Sequence, residues 1–389
     1  MTRIKLKEFA ICLLLAAILC ATAAGQAPPD LESMDNAASM QQMLANLDGA
    51  ITVQSQAADE LPLSADLNSA NLNMERIFSR AQAGYIQDQI TLARAYQLGR
   101  GVKPDPAEAA QWFLKAANFG SPMAQTEIGY LYIRGEGVAR DEQQAFKWFQ
   151  RAAVEDYAPA QYDLAYLLTS GSGVHKDAQA GATWFTQAAR QGFAPAQVNL
   201  AVLYASGIGV ARDEAEAMRW CREAAKQGFA PGEYLLGLMH ESGIGAATNM
   251  TEAARWYRKA ADQGDSQAEN NLGTLYEDGA GVPQDIQQAI KWYRLAAQQG
   301  NGNSYMNLAH LYAGAHGVKP DYMMAYFWAL LAQRSPWPTS TRPSQNVLER
   351  LRSYVSPEQA AQAGTQAEYW MSKHSQLPPF TTIQLWAKE

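Results

Sequence analysis

Seven tryptophans recur along this 389-residue chain at a constant spacing of 36 residues: they are Trp112, Trp148, Trp184, Trp220, Trp256, Trp292 and Trp328. A Gly-x-Gly pair recurs with the same period from Gly99 to Gly281. An aspartate recurs with it from Asp105 to Asp321, except that Asn249 replaces aspartate in one repeat. A fixed period of about 20–50 residues is the signature of stacked repeats, in which each unit contacts only its neighbours. The chain is therefore predicted to be a repeat protein.

Each period is predicted to contain two amphipathic helices. Apolar residues from Ala124 onward recur at the spacing of one helical face, and Gly135 ends that helix because glycine readily adopts the left-handed C-cap conformation. Asp141 stands where the second helix needs an N-cap acceptor. One position of the first helix is always Gly or Ala, which predicts a close crossing of the two helices. Its residues are Ala93, Gly129, Ala165, Ala201, Gly237, Gly273 and Ala309.

Two segments of the sequence resemble the Sel-1-like repeat (SLR) family, a relative of the tetratricopeptide repeat. They are Leu272-Gly-Thr-Leu-Tyr-Glu-Asp-Gly-Ala-Gly-Val282 and Ala289-Ile-Lys-Trp-Tyr-Arg-Leu-Ala-Ala297, and the resemblance covers roughly residues 84–334. It implies an all-α fold, namely an α/α superhelical solenoid of seven 36-residue helix-turn-helix repeats with C-terminal capping helices. It also implies a protein-interaction scaffold, often in the bacterial envelope or secreted, without a family-wide catalytic residue.

The segments outside the repeats are predicted from composition. Residues 1–24 have the basic start, short apolar run and small terminal residues of a signal peptide, with an uncleaved anchor as the alternative. Residues 25–69 read as a flexible leader, 70–334 as the SLR solenoid, and 335–389 as a Pro-rich break, capping helices and tail. Ser356 and Gln359 predict a capping box, and Ala361, Tyr369 and Trp370 are expected to cover the last repeat.

Charge and cysteine content narrow the range of partners. Loss of residues 1–24 changes the formal charge from −7 to −9, which argues against nucleic acid and anionic lipid as partners. Cys221 is the only cysteine after residue 24, so the mature chain has no internal disulfide. It replaces an aromatic residue of the other repeats and is expected to face the core. We expect a periplasmic or secreted protein that does not insert into the membrane after signal cleavage.

No arrangement of residues typical of catalysis is present in the sequence. The five histidines lack a zinc-ligand spacing, and the Gly-x-Gly pairs lack the strand and third glycine of a dinucleotide site. The repeated aspartates are interpreted as N-caps rather than a metal ladder, and the tryptophans as core rather than a sugar-binding ladder. We therefore predict a non-enzymatic protein without metal or cofactor.

A partner-binding groove is predicted on the first helices of the repeats, which face inward in tetratricopeptide-like pairs. The candidate contacts are Arg94, Tyr130, Arg134, Tyr162, Tyr166 and Tyr234, in a concave groove that binds a protein or peptide. An alternative interpretation is that Tyr130 and Tyr166 simply pack on adjacent repeats. Two other functions remain open at this stage: binding of a polysaccharide or peptidoglycan, and hydrolysis like that of a β-lactamase, to which some cysteine-rich SLR proteins have been linked.

Overall fold

A computed structural model describes residues 74–335 and 345–374 of the chain. The predicted signal peptide, flexible leader, Pro-rich break and C-terminal tail lie largely outside these residues. The described residues contain seventeen α-helices and a short 3₁₀ turn, and they contain no strand. The helices are α1 (Met74–Gln82), α2 (Ile86–Leu98), α3 (Pro106–Asn118), α4 (Pro122–Arg134), α5 (Glu142–Val154), α6 (Ala158–Ser170), α7 (Ala178–Arg190), α8 (Ala194–Ser206), α9 (Glu214–Lys226), α10 (Ala230–Ser242), α11 (Met250–Asp262), α12 (Ser266–Asp278), α13 (Ile286–Gln298), α14 (Gly302–Tyr312), α15 (Tyr322–Arg334), α16 (Gln345–Arg352) and α17 (Pro357–His374).

These helices confirm the predicted α/α solenoid. Helices α2 to α15 form seven successive pairs, and the first and second helices of each pair are called the A helix and the B helix below. The chain divides into an N-terminal unit, which ends at Ala224, and a C-terminal unit, which begins at Ala225, so the boundary falls within α9.

The periodic glycines and aspartates mark the helix ends as predicted. Gly135 follows α4 with a φ of 67° in the left-handed region, and its N–H bonds to the carbonyl of Leu131. Asp141 accepts hydrogen bonds of 3.0 Å from the backbone N–H groups of Gln143 and Gln144 at the start of α5. The equivalent residue caps each of the other B helices, including Asn249 at α11. The N-cap interpretation of this column is therefore confirmed.

The tryptophans and the small residues opposite them form the repeated core. Five of the seven tryptophans are buried, whereas Trp184 and Trp256 are half-buried. A Cβ atom at Gly129 would lie 2.6 Å from Cε1 of Phe149, and one at Gly273 would lie 2.7 Å from the ring of Tyr293. These contacts confirm the close crossing of A and B helices. Cys221 is fully buried, as its position predicted.

In the N-terminal unit, a column of buried glutamines joins four A helices to the helices that precede them. Gln89, Gln125, Gln161 and Gln197 each donate from Nε2 to the carbonyl oxygen eight residues earlier, at distances of 3.1–3.2 Å. Each of these carbonyls also accepts a backbone hydrogen bond of 3.0–3.1 Å from the residue three positions later, so the glutamine is its second donor. The bond ties the end of one helix to the side chain of the next. In the C-terminal unit the same position holds Glu233 and Glu269.

The last repeat and the C-terminal helices depart from the regular pattern. Ala315 replaces the usual glycine, so α14 ends early and Gly314 takes the left-handed conformation with a φ of 106°. The predicted capping box is present, because Ser356 and Gln359 exchange hydrogen bonds of 2.8 and 3.2 Å. Trp370 packs on Phe327 and Trp328 as expected.

Two of the three residues predicted to cover the last repeat lie elsewhere. Ala361 and Tyr369 of α17 are exposed, whereas Ala363 and Ala367 are buried. The reason is helical phase: residues 363, 367 and 370 are spaced by four and three positions and share one face, which residues 361 and 369 do not share.

Candidate functional site

Tyr130, the first predicted binding residue, is buried between neighbouring repeats. Its hydroxyl donates a 2.5 Å hydrogen bond to Oδ2 of Asp163 on the next A helix, and its ring centroid lies 5.3 Å from that of Phe149. Only 2% of the residue is exposed. Burial, followed by the charge of Asp163, raises the pKa of Tyr130 well above its ordinary value. This tyrosine therefore joins two repeats to each other.

Tyr162 is buried in the same way. It is 2% exposed, its hydroxyl accepts a 3.0 Å hydrogen bond from Nδ2 of Asn199, and its ring packs on Phe185 and Phe193 at centroid distances of 5.5 and 5.6 Å. The sequence showed an aromatic side chain on an A helix but did not reveal the polar residue one repeat later that pairs with it. The available signal was the polar pair Asp163 and Asn199, which hold the same position in successive repeats of otherwise apolar A helices.

Tyr166 and Tyr234 are also buried. Burial raises the pKa of Tyr166 above its ordinary value, and the ring of Tyr234 lies 5.9 Å from that of Tyr257. The expectation that these four tyrosines line an accessible groove is therefore corrected by their burial, because the A helices are packed on nearly every face. For Tyr130 the contacts show the alternative, packing between adjacent repeats, and Tyr162 makes contacts of the same kind.

The two predicted arginines are each next to a glutamate. Arg94 lies 3.5 Å from Oε1 of Glu127, and Arg134 lies 3.4 Å from Oε2 of Glu136. Both guanidinium groups are only slightly exposed, so their charges are largely balanced within the chain. Contact of Arg94 or Arg134 with a partner stays a prediction.

The N-terminal unit exposes a row of large apolar side chains at one edge, which we call the apolar edge. Tyr85, Phe119 and Val154 are 55%, 63% and 65% exposed, and they lie where α1, α3 and α5 lead into the next A helix. Leu98, 46% exposed, lies at the opposite edge, where α2 leads into α3. Helical periodicity does not reveal this row, because its members lie at or beyond the ends of the helices.

The residues at the N-caps of the A helices, which lie at the same edge, are of two kinds. Ser121 caps α4 with its side chain, as Asp265 and Asn301 cap α12 and α14. Tyr85, Tyr157, Phe193 and Phe229 occupy the equivalent position without any side-chain cap bond. An apolar residue at an N-cap costs about 1 kcal/mol relative to a good cap. Of these four aromatic residues only Tyr85 belongs to the apolar edge, and Phe193 packs on the ring of Tyr162.

The densest group of titratable side chains lies in the C-terminal unit, around Glu277. One carboxylate oxygen accepts a 2.6 Å hydrogen bond from the hydroxyl of Tyr293, and the other lies 3.0 Å from Nε2 of His316. Burial raises the pKa of Tyr293 above its ordinary value. Each group is thus engaged in holding α12, α13 and the 3₁₀ turn together.

Two further searches concern the described part of the chain only. Within residues 74–335 and 345–374, no three His, Cys, Asp or Glu side chains are grouped so that they could hold a metal ion. No helix in these ranges has both the length and the apolar character to cross a membrane.

Comparison with known proteins identifies the repeats. The family model described as Sel1 repeat matches seven times, at residues 89–120, 122–153, 158–193, 194–229, 230–265, 266–301 and 302–332. The chain belongs to the Sel1 repeat family. All seven matches lie inside the segment 70–334 that the sequence analysis assigned to the solenoid.

Solved structures of other Sel1 repeat proteins resemble this chain. A Sel1 repeat protein from Oxalobacter formigenes is 32% identical, with a TM-score of 0.60, over 72% of this chain and 80% of that one. A protective antigen of uropathogenic Escherichia coli with an SLR fold is 26% identical, over 78% of this chain and 80% of that one, with a TM-score of 0.38. No curated protein sequence matches the chain.

Proposed function

We propose that this Sel1 repeat protein is a non-enzymatic scaffold that binds a protein or peptide partner along the apolar edge of its N-terminal unit. Members of the family generally serve as protein-interaction scaffolds. The observation that carries the proposal for this chain is the exposure of Tyr85, Phe119 and Val154 on three successive connections of one edge. Single exposed apolar residues are common, but large apolar side chains exposed on three successive connections of one edge are typical of an interaction surface.

The chemistry of the row favours a protein partner. Phenylalanine and tyrosine bring a large apolar area with few rotatable bonds, so their ordering on binding costs little entropy. Arg80 lies over the ring of Tyr85, with its guanidinium carbon 4.7 Å from the centroid, which adds a polar group at one end of the row. We propose that a complementary apolar strip on the partner covers these side chains. The predicted groove on the A helices offers less surface, since its tyrosines are buried.

The proposal includes export to the periplasm or the medium. It is supported by the basic start and the short apolar run of residues 1–24. Removal of about 24 residues from the N-terminus of protein recovered from the envelope or medium, measured by intact mass, would support this part of the proposal. An uncut chain in the cytoplasm would contradict it.

A photo-crosslinking residue placed at position 119 tests where the partner binds. We expect a crosslinked protein from the native cell fraction that wild-type protein displaces in a dose-dependent way. The same residue placed at position 98, on the opposite edge, is the matched control and should not yield that product. Equal crosslinking from both positions, or none from position 119, would contradict binding along the apolar edge.

The two functions left open by the sequence predict different results. A polysaccharide-binding protein would bind purified glycans on an array in the absence of any protein, and a hydrolase would turn over a β-lactam or a peptidoglycan fragment. Neither activity is expected here. Either one, measured with purified protein, would contradict the scaffold proposal.

A further inference from the structure

A second surface, in the C-terminal unit, is strongly basic although the chain as a whole is acidic. Helices α11 and α13 are the B helices of successive repeats and carry the basic face, which is defined as Arg255, Arg258, Lys259, Lys291 and Arg294. The formal charge of the whole chain is −7. Positive charges collected on two neighbouring helices of an acidic protein create a local field that the net charge conceals.

The cations of the basic face lie over aromatic rings. Lys259 Nζ is 4.0 Å from the centroid of the Trp256 ring, and the guanidinium carbon of Arg258 is 5.0 Å from that of Trp292. Arg258 and Arg294 also donate hydrogen bonds to the hydroxyls of Tyr276 and Tyr312 in the following A helices. These contacts hold the cations in defined positions, since a ring face attracts a cation at distances up to about 6 Å.

The charges on this face are only slightly balanced by carboxylates. Among the described residues, Arg255 is the one member that forms a salt bridge, at 3.5 Å from Oε1 of Glu252. Aromatic rings attract a cation without neutralising it. The remaining four cations form no salt bridge among the described residues, although the charge of Lys259 acts on the carboxyl group of Glu233. They are held by rings and hydroxyls, and their charge stays available for an external anion.

We propose that the basic face binds an acidic polypeptide segment of a partner protein. A polypeptide fits better than a polysaccharide, because the ring faces that a sugar would stack on are already covered by Lys259 and Arg258. Neighbouring packed helices lie about 8–10 Å apart, and we take this spacing for α11 and α13. An extended chain advances about 3.3 Å per residue. An acidic residue at about every third position would thus meet cations of α11 and then of α13. The proposal is independent of the apolar edge.

A structural role alone predicts a different outcome. If the cations only shield Trp256 and Trp292 from water, their removal would lower stability and leave affinity for anionic peptides unchanged. The variant Arg255→Gln/Lys259→Gln/Lys291→Gln separates the two roles, because it keeps Arg258 and Arg294, which hold the tyrosine hydroxyls. Its matched control is Lys147→Gln/Arg151→Gln/Arg190→Gln in the N-terminal unit. Positions 147 and 151 are equivalent in the repeat to 255 and 259, and the control also removes three charges.

The experiment measures binding of a fluorescent peptide of about twelve residues that has Asp or Glu at every third position and Ser or Gly between. Full-length protein is used at low and at physiological ionic strength. We expect the basic-face variant to bind at least about tenfold more weakly and with a shallower salt dependence, and the control variant to bind like wild type. A peptide with Asn and Gln in place of the acids should not bind.

A second readout uses only the wild-type protein and so does not depend on the variants folding. Carbodiimide joins carboxylates to amines in contact, and mass spectrometry should find the acidic peptide attached to Lys259 or Lys291 and not to Lys147. Attachment to lysines in general, or equal weakening in both variants, would reduce the effect to net charge and overturn the proposal.

Two other occupants would also overturn it. Heparin that binds through Lys259 and Lys291 while the acidic peptide does not would assign the face to anionic polysaccharides. The second occupant is another copy of this chain. Its residues 25–73 contain seven acidic residues and no Lys or Arg, so this segment has the charge to bind the basic face. Sedimentation should therefore be measured as well, and concentration-dependent self-association that the basic-face variant abolishes would assign the face to a second copy of the chain.

Discussion

Nε2 of Gln299 donates a 2.8 Å hydrogen bond to Oε2 of Glu269, thirty residues earlier in the chain. Gln263 makes the same contact with Glu233, at 2.6 Å. In the N-terminal unit the equivalent pair is Gln191 and Gln161, in which a neutral amide oxygen accepts the bond at 2.8 Å. The column thus keeps its geometry while two of its members carry an ionisable group, and this difference predicts how stability depends on pH.

Burial, together with the charge of Asp265, raises the pKa of Glu269 to about 8, although the bond from Gln299 partly opposes the shift. An unfolded glutamate ionises near its ordinary value of 4.5. Between these two values the folded state keeps a proton that the unfolded state has lost, so the free energy of unfolding falls as pH rises from about 4.5 to about 8. The expected loss is about 2–5 kcal/mol, at about 1.4 kcal/mol for each unit of pKa difference.

Glu269→Gln should remove this loss. The variant is expected to unfold at a higher temperature than wild type above pH 8 and to have a flatter stability profile, because a glutamine serves the same position at Gln161. Urea denaturation at several pH values measures the effect. Glu368→Gln changes a 73% exposed side chain and should leave the profile as it is. A Glu269→Gln profile parallel to that of wild type would show that Glu269 ionises in the folded protein like an ordinary glutamate.

Gly273→Ala is expected to destabilise the protein by about 1–3 kcal/mol, because the added methyl would overlap Tyr293. The ring cannot easily move aside, since its hydroxyl is bonded to Glu277 and lies 3.1 Å from Thr274 Oγ1. Gly364→Ala in α17 is the control, because its Cβ would meet nothing within 4 Å. That substitution should be neutral or stabilise the helix by up to about 1 kcal/mol. Thermal melts of both variants test the pair, and equal effects would rule out the close crossing.

Tyr162→Ala should cost about 3–5 kcal/mol, since it removes a buried ring together with the acceptor of Asn199. The measurement is the midpoint of denaturant unfolding. Tyr369→Ala truncates a ring that is 65% exposed and should shift stability by no more than about 0.5 kcal/mol. A Tyr162→Ala variant as stable as wild type would contradict the structural role of this tyrosine and favour the earlier prediction that it contacts a partner.

Trp220→Ala should cost about 3–5 kcal/mol, because Trp220 is buried. The loss should spread beyond its own repeat, since each repeat of a solenoid is stabilised by its neighbours. Trp184 holds the same position in its repeat but is half-buried, so Trp184→Ala should cost less. Circular dichroism melting and amide hydrogen exchange would show both the size and the spread of the effect. Melts of Trp220→Ala that match wild type would contradict the core assignment.

The sequence predicted the fold well because its period was unbroken. The Trp column, the left-handed glycines and the aspartate N-caps each follow from local chemistry, so they were readable without any tertiary contact. Ala315 breaks the glycine column in the last repeat, but the sequence does not show that α14 ends at Tyr312 with Ala313 as its C-cap and Gly314 in the left-handed conformation. The fold and the ends of the regular helices were therefore accessible from sequence, whereas the irregular end of α14 was not.

The candidate site was less predictable, because burial depends on contacts between repeats. Tyr130 and Tyr162 were predicted to be exposed groove residues because the sequence does not show that Asp163 and Asn199 are their hydrogen-bond partners. The exposure of Phe119 and Val154 is likewise invisible to helical periodicity, since both lie at the end of a B helix. Their role depends on which side chains the neighbouring connections leave uncovered.

The most direct test of the scaffold proposal is the affinity of the partner captured by crosslinking from position 119. Isothermal titration should compare wild type with Tyr85→Ser/Phe119→Ser/Val154→Ser and with Leu98→Ser at the opposite edge. We expect the triple variant to lose at least about 2 kcal/mol of binding free energy, and Leu98→Ser to bind like wild type, with unchanged helical content in both. Wild-type affinity in the triple variant would contradict the assignment of partner binding to the apolar edge.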